Sequence, residues 1–200
     1  CEGTWGTPDN DKNIETTPPV VGGFYYKDGT YSADYEGTDS NPCIGVIIDV
    51  EKGLILSDQL PGGKMSWATA AGENVATNTT NADGREDVKV LKGISADLSQ
   101  YPVAKACEDY NVGGTGWYLP SKTEVAMLAG DEANQAKWKN ILTAAKFTGT
   151  GTAFVDGIWT ITEENGEVMV MSWTHFSGGL RYESDLQYAS YVRCVKRVVL

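Results

Sequence analysis

Histidine is nearly absent from this sequence: His175 is the only one among 200 residues. The sequence also has no G-x-S-x-G, H-E-x-x-H or C-x-x-C motif, and no glycine-rich phosphate loop ahead of a helix. One imidazole cannot build a zinc site alone. With 27 acidic residues, chance carboxylate pairs are too common to indicate acid–base catalysis. We therefore predict that the protein is not an enzyme and has no cofactor.

Long hydrophobic runs and positive charge are also scarce. No segment reaches the roughly 18 to 20 apolar residues that a membrane-spanning helix needs. The 16 basic residues against 27 acidic ones give a formal net charge of -11 and a sequence pI near 4.5. A surface of this sign repels nucleic-acid phosphates, anionic membranes and strongly sulfated polysaccharides. We expect no nucleic-acid partner, and membrane contact only through a lipid anchor.

The chain divides into a polar tether and one domain. A chain of 200 residues is long enough to bury one sizeable hydrophobic core. Residues 1–20 contain three prolines and few apolar side chains, so they cannot offset the entropy lost on ordering. We predict a flexible tether over residues 1–20 and a single domain over residues 21–200.

The sequence begins at Cys1, which is followed by a polar stretch. This arrangement is what remains when a lipoprotein precursor is cleaved immediately before its acylated cysteine. It predicts lipidation of Cys1 and an exported protein on the cell surface or outer membrane. Two or three acyl chains, at ~0.8 kcal/mol per buried CH2, would anchor the protein stably. The alternative is that the given chain happens to start at this cysteine.

Residues 113–124, with the sequence G-G-T-G-W-Y-L-P-S-K-T-E, combine a turn, a strand and a helix start. Pro120 cannot lie inside a helix, and Ser121 and Glu124 have the S-x-x-E spacing of a capping box. The strand is therefore predicted to end at Leu119, and a helix to begin at once.

Alternation and helical spacing predict the core. Trp117 and Leu119 would point to one side of the short strand and Tyr118 to the other. Two amphipathic helices are predicted over residues 98–110 and 131–146. Their inward-facing residues are predicted to be Val103, Cys107, Tyr110, Trp138, Ile141, Leu142 and Ala145.

Three turn sequences predict β-hairpins: Asp28-Gly29, Glu51-Lys52-Gly53 and Asn165-Gly166. The strands predicted on either side of the second and third turns are residues 43–50, 54–57, 157–162 and 167–173. Two further strands are predicted at the C-terminal end, residues 180–188 and 191–200. The fold class is therefore α+β.

Residues 81–87 gather carboxylate and amide oxygens around a glycine, which is compatible with a bound cation. A solvated turn that leads into the apolar residues 88–94 explains the same pattern. We favour the turn and predict no metal site.

Four segments in a fixed order resemble a known family. They are Y-P-V-A-K-A-C-E-D-Y-N (101–111), G-W-Y-L-P-S-K-T-E (116–124), W-T-I-T-E (159–163) and S-Y-V-R-C-V-K (190–196). Together they resemble the landmarks of the bacterial C-type-lectin-like domain, in the Lcl C-terminal form found on surface lipoproteins and adhesins. The resemblance covers residues 21–200. It implies a C-type-lectin-like fold with two or three helices packed on short antiparallel sheets and with long loops.

The resemblance also implies a disulfide between Cys107 and Cys194, which would join the first long helix to the closing strand. Closing a loop of roughly 90 residues would stabilise the fold by about 4 to 5 kcal/mol. Cys43 is then left over. We predict that it is a buried free thiol, and a bond to Cys1 is the alternative if Cys1 is not acylated.

In domains of this family, ligands bind the irregular loops and the strands beside them. The ligand-binding residues predicted at the matching positions are His175, Arg181, Tyr182, Glu183, Asp185, Gln187 and Tyr188. Tyrosine and arginine offer amphipathic contact area, and the shorter polar side chains offer hydrogen bonds. The sequence lacks the Glu-Pro-Asn, Gln-Pro-Asp and Trp-Asn-Asp tripeptides of calcium-dependent sugar-binding lectins.

These features predict a recognition or adhesion module that binds a carbohydrate or protein ligand on a surface. The alternative is a structural or tip subunit of a fimbrial surface assembly, whose strands pair with a partner chain. A third hypothesis is an enzyme, either a hydrolase or one resembling the formylglycine-generating enzymes. The latter is disfavoured because Cys194 has no second cysteine a few residues away.

Overall fold

The computed structural model describes residues 17–147, 157–173 and 179–200, so Cys1 and most of the predicted tether lie outside it. The described residues form an α+β fold, which confirms the predicted class. Its strands are β1 (Phe24–Tyr26), β2 (Tyr31–Ser32), β3 (Cys43–Asp49), β4 (Leu54–Ser57), β5 (Lys64–Met65), β6 (Ile158–Glu164), β7 (Glu167–Met171), β8 (Leu180–Glu183), β9 (Ser190–Tyr191) and β10 (Val195–Arg197).

Two five-stranded sheets contain these strands. The first has the order β10-β4-β3-β1-β2 and the second the order β5-β9-β6-β7-β8. The pairing is antiparallel except between β6 and β9, which run parallel at the single register position Ile158–Tyr191. The prediction of antiparallel sheets is therefore confirmed apart from this contact.

The helices are α1 (Gly84–Ile94), α2 (Pro102–Asp109), α3 (Lys122–Val125) and α4 (Glu132–Ala144), with 3₁₀ turns at Gly72–Asn74 and Ala126–Leu128. In the part of the chain that the structure describes, no helix has the length and apolar character to cross a membrane.

The three predicted hairpins are confirmed. The pairs β1–β2, β3–β4 and β6–β7 are antiparallel and adjacent in sequence. Asn165 and Gly166 both have positive φ, 55° and 84°, as a type I′ turn requires. Gly53 has a φ of 62°, and a Cβ there would collide with the backbone carbonyl of Val198. A side chain is therefore excluded at this turn both by conformation and by space.

The predicted turn, strand and helix of residues 113–124 are present in compact form. The strand is reduced to one bridge, in which Tyr118 and Val195 exchange two backbone hydrogen bonds of 2.9 Å. The capping box of Ser121 and Glu124 is formed at the start of α3. Tyr118 packs in a different hydrophobic cluster from its two neighbours, as alternation predicts.

Two hydrophobic clusters form the core. The larger contains Trp67, Leu91, Tyr101, Trp117, Leu119 and Trp159. The second contains Phe24, Tyr118, Trp138, Leu142, Ala145 and Phe147. The inward-facing residues predicted for the two amphipathic helices are buried, except for Ile141, which is half-buried.

The disulfide between Cys107 and Cys194 is present, and both cysteines are fully buried. It joins α2 to the segment that connects β9 with β10. Cys43 is a buried free thiol, as predicted, and Cys1, its alternative partner, lies outside the described residues. Burial raises the pKa of the Cys43 thiol to about 11, which keeps it protonated at neutral pH.

The structure differs from three local predictions. A solvated turn is predicted at residues 81–87, but the structure has a helix, α1, that begins at Gly84 and is capped by Asp83. The helix predicted over residues 98–110 begins only at Pro102, since Leu98 has a φ of 59° that no α-helix allows. The closing strand is divided into β9 and β10, which belong to different sheets.

Candidate functional site

Strand β8 forms one edge of the second sheet, beside β7. Ser172 donates its N–H to the carbonyl of Gly179, which makes this a hydrogen-bonded pair. Hydrogen-bonded and non-hydrogen-bonded residue pairs alternate along antiparallel strands. The backbone N–H and C=O groups of Arg181 therefore point towards β7, whereas those of Leu180 and Tyr182 point away from it. No hydrogen bond joins these outward groups to the rest of the described chain. Among the described residues, the outer edge of β8 is therefore not paired with another strand.

Two predicted ligand-binding residues on β8 contact each other. The Arg181 Nη1 atom lies 2.8 Å from Glu183 Oε2, and the side chains are 22% and 18% exposed. Residues two apart on a strand share a face, so this pairing follows from the strand geometry. The other carboxylate oxygen of Glu183 accepts the backbone N–H of Asp185 at 3.0 Å. These groups therefore hold the end of β8 and the following turn together.

The turn after β8 is fixed to the core. Leu186 is 3% exposed and belongs to the larger hydrophobic cluster. Its carbonyl accepts the N–H of Ala68 at 3.0 Å. The carbonyl of Gln187 accepts the Ser66 hydroxyl at 2.7 Å. The strand predicted over residues 180–188 consequently ends at Glu183, because Leu186 turns into the core.

The remaining five predicted residues are two exposed tyrosines, two polar residues of the turn and His175. Tyr182 and Tyr188 are 51% and 50% exposed, so their rings are available for contact. Asp185 accepts the N–H of Gln187 at 3.0 Å within the turn, while both side chains stay on the surface. His175 lies outside the described residues.

A second surface feature was not predicted from the sequence. A groove of about 510 Å³ lies between α1, Glu108 at the end of α2 and the turn at Gly116 and Trp117. Arg85, Lys89 and Lys92 line it, because spacings of four and three residues place them on one face of α1. We call it the cationic groove. Their spacing is readable in the sequence, but it has meaning only once this segment is known to be a helix.

The residues considered for a cation are used within the chain. Asp83 accepts the N–H of Arg85 and caps α1. Asp87 Oδ1 accepts the backbone N–H and the side-chain amide of Asn81, at 3.2 and 2.7 Å. In the part of the chain covered by the structure, no three acidic, histidine or cysteine side chains are grouped as metal ligands would be.

Asp87 predicts a stability that depends on pH. Its side chain is fully buried, and burial raises its pKa from 3.8 to about 6. The folded state then holds this proton more tightly than the unfolded state, so the stability it contributes is complete below about pH 4 and is lost as the pH rises to about 6. We expect Asp87→Asn to match the wild type near pH 4 and to be about 1 to 2 kcal/mol more stable at pH 7. Urea unfolding at several pH values measures this difference.

Asp97→Asn is the matched control for this prediction. Hydrogen bonds from Ser99 lower the pKa of Asp97, so its removal should shift the pH profile in the opposite direction. An Asp87→Asn protein whose stability follows the wild type at every pH would contradict the prediction.

A buried polar cluster, separate from the β8 edge and from the cationic groove, lies at the end of β4. Arg193 is fully buried, and its Nη1 atom donates to the carbonyls of Ser57 and Asp58, at 2.8 and 3.1 Å. Its guanidinium carbon lies 5.0 Å from the centre of the Phe147 ring. Burial raises the pKa of Asp58 to about 6 and lowers the pKa of Arg193 to about 9. These contacts hold the segment between β9 and β10 against β4.

Comparison with known proteins gives one informative likeness. No protein-family model and no curated protein matches the chain. A solved structure, that of a fimbrial protein from Bacteroides ovatus ATCC 8483, is similar with a TM-score of 0.59 and 14% sequence identity. The likeness covers 90% of this chain and 49% of that one, so the present chain spans about half the length of the protein that it resembles. The chain therefore shares its fold with about half of a fimbrial protein.

Proposed function

We propose that this chain is a non-enzymatic subunit of a surface assembly of the fimbrial kind, which pairs with a partner chain along the free edge of β8. The observation that carries the proposal is the outward orientation of the backbone at Leu180 and Tyr182. An unpaired strand edge is a template for a strand from another chain. The fold likeness to a fimbrial protein supports the same function.

The other sheet edges offer less for such a contact. β2 and β5 are edge strands of two residues each, whereas β8 has four. The edge of β10 is covered at Val195 by its bridge to Tyr118. Within the described sheets, β8 is thus the longest edge strand without a covering segment.

The proposal includes a surface location and a lectin-like domain. The four ordered segments and the Cys107–Cys194 disulfide support a C-type-lectin-like fold over residues 21–200. Acylation of Cys1 would hold the subunit at the membrane surface. Burial raises the pKa of Cys43 to about 11, so this thiol stays protonated at neutral pH and is a poor nucleophile.

Substituting proline at Tyr182 tests the strand pairing directly. Tyr182→Pro removes a backbone N–H that points away from β7, so the bonds within the sheet remain. We expect at least a roughly tenfold loss of fibres that contain this chain on the surface of cells expressing it, because the partner strand loses a hydrogen bond and meets the proline ring. Electron microscopy with a labelled antibody against the chain measures the loss.

The matched control is Tyr182→Val, which removes the same ring but keeps the N–H. It should assemble within about twofold of the wild type, since valine suits an edge strand. Both variants should keep the wild-type urea midpoint. Normal fibres from Tyr182→Pro would show that the β8 edge is not used.

A second candidate function is recognition of a carbohydrate or protein ligand. It is favoured by the exposed rings of Tyr182 and Tyr188, which flank a turn fixed to the core. Changing Tyr182, Asp185 and Tyr188 together to alanine should abolish binding to a glycan array or to cells while fibres still form. Undiminished binding by that variant would show that recognition does not use this surface.

A further inference from the structure

The cationic groove lies beside one edge of the first sheet. Trp117 lines it, and Lys196 of β10 lies next to this ring, with its Nζ atom 5.9 Å from the ring centre. The Lys196 ammonium group also donates to the carbonyl of Gly113 at 3.3 Å. No described carboxylate forms an ion pair with Lys196. Lys196 thus adds a positive charge without a described carboxylate partner to a groove lined by Arg85, Lys89 and Lys92.

Acidic residues lie at the opposite edge of the same sheet. The loop that follows β2 carries Asp34, Glu36 and Asp39, all exposed, and we call it the acidic loop. The sequence has no lysine or arginine between Lys27 and Lys52. None of the three carboxylates forms an ion pair in the described part of the chain. Lys146 lies near this loop, 5.2 Å from the centre of the Tyr35 ring.

The two charged regions are too far apart to neutralise each other within one chain. Five strands in the order β10-β4-β3-β1-β2 place four spacings, roughly 19 Å, between the edges. The Debye length at physiological salt is about 8 Å, so the attraction across the sheet is screened. Direct contact between two molecules would bring the opposite charges together.

We propose that the acidic loop of one copy of this chain docks on the cationic groove of the next copy. Different surfaces meet in this contact, so it is head-to-tail and can continue from copy to copy as a row. It rests on the proposed function, because it specifies how subunits of the assembly are aligned. Strand pairing at β8 belongs to the other sheet and leaves both charged regions open.

The ion pairs already present in the groove do not block this contact. Arg85, Lys89 and Lys92 are 49%, 71% and 41% exposed, and each has an acidic neighbour in Asp83, Glu86 and Glu108, respectively. Exposed pairs of this kind contribute little to stability, so their cations can turn to an incoming carboxylate at small cost. Lys196 and the incoming acidic loop have no such pair to break.

A charge exchange between two variants of the full chain tests the proposal. The groove variant carries Lys89→Glu and Lys92→Glu, and the loop variant carries Asp34→Lys, Glu36→Lys and Asp39→Lys. At about 150 mM salt, we expect each variant alone to self-associate at least about tenfold more weakly than the wild type. An equimolar mixture of the two should regain association, because reversed groove and reversed loop are again complementary. Sedimentation velocity over a range of concentrations measures all of these.

Net charge alone predicts a different result. The loop variant changes the charge by three reversals of +2, from -11 to about -5, which reduces general repulsion and should increase association. Lys137→Glu with Lys139→Glu on α4 changes the charge as the groove variant does and should leave association near the wild-type value. A mixture that associates no better than its separate variants overturns the docking proposal.

The experiments distinguish a failure of the docking proposal from a failure of the proposed assembly function. If the charge variants form surface fibres and self-associate like the wild type while Tyr182→Pro does not assemble, the docking is wrong and the assembly function stands. If the wild type neither forms fibres nor self-associates, both are wrong.

Discussion

Removing the Cys107–Cys194 disulfide is expected to lower the free energy of unfolding by about 4 to 5 kcal/mol. The two cysteines are 87 residues apart in sequence, and a cross-link across that distance removes a large part of the conformational entropy of the unfolded chain. The bond also fixes α2 to the segment that runs from β9 in one sheet to β10 in the other. Urea unfolding of the Cys107→Ala, Cys194→Ala protein, followed by tryptophan fluorescence, measures the loss.

Cys43→Ala is the control, because it removes the buried thiol that forms no disulfide. It should cost about 1 kcal/mol, and its sensitivity to a reducing agent should equal that of the wild type. Both sulfurs of the disulfide are fully buried, so a reductant should act only through unfolding. A double alanine variant as stable as Cys43→Ala would contradict the expected contribution of the cross-link.

Hairpins and caps could be predicted from the sequence because their signals are local. Asn165-Gly166 determines a turn through the positive φ of two neighbouring residues. Ser121 and Glu124 determine a helix start through contacts three residues apart. Signals of this range require no knowledge of the rest of the fold, which is why the structure confirms them.

The divided strand depends on distant contacts, whereas the missed helix has a local start signal that is also compatible with a turn. α1 is mostly solvent-exposed, with Leu91 as its one fully buried large apolar side chain. Its apolar and charged residues nevertheless have helical spacing, and Asp83 caps its first turn, so its sequence signal is local. The closing segment leaves one sheet and enters the other because buried Arg193 binds the carbonyls of Ser57 and Asp58, which are more than a hundred residues earlier. A fully buried arginine is rare, and its partners cannot be identified from the sequence.

The candidate site could likewise be predicted only in part from the sequence. The composition of residues 181–188 predicts a contact surface; the rings of Tyr182 and Tyr188 are exposed, and their contact with a ligand stays a prediction. The sequence could not show that β8 is an edge strand, since strand order is set by pairing between segments far apart in the chain. The proposed assembly function rests on this edge, and the likeness to a fimbrial protein shows a shared fold.

Glu124 is the residue whose removal should have the second large effect. Its side chain is fully buried and receives four hydrogen bonds. Oε1 accepts the backbone N–H groups of Gly84 and Ser121, at 2.9 and 3.0 Å. Oε2 accepts the Tyr118 hydroxyl at 2.6 Å and Arg197 Nη2 at 3.2 Å. One carboxylate therefore joins the start of α1, the start of α3 and β10.

Glu124→Ala should lower the free energy of unfolding by about 3 to 5 kcal/mol. The substitution removes the Glu124 side-chain bond of the capping box of α3 and leaves buried donors without partners, at about 1 to 3 kcal/mol each. Gly84 is held so closely that a Cβ there would lie 2.8 Å from both Glu124 Oε1 and the Leu119 carbonyl, so the helix start cannot shift to find new partners. Urea unfolding measures the change.

Two further variants separate burial from capping. Asp131→Ala removes the cap of α4 from an exposed position and should cost only about 1 kcal/mol. Glu124→Gln keeps an acceptor for Gly84 and Ser121 but turns an amide towards Arg197, so its cost should lie between those of the two alanine variants. If Glu124→Ala cost no more than Asp131→Ala, the carboxylate would be acting as an ordinary helix cap. The contacts between α1, α3 and β10 would then have to be maintained by packing alone, which the four short bonds to Glu124 argue against.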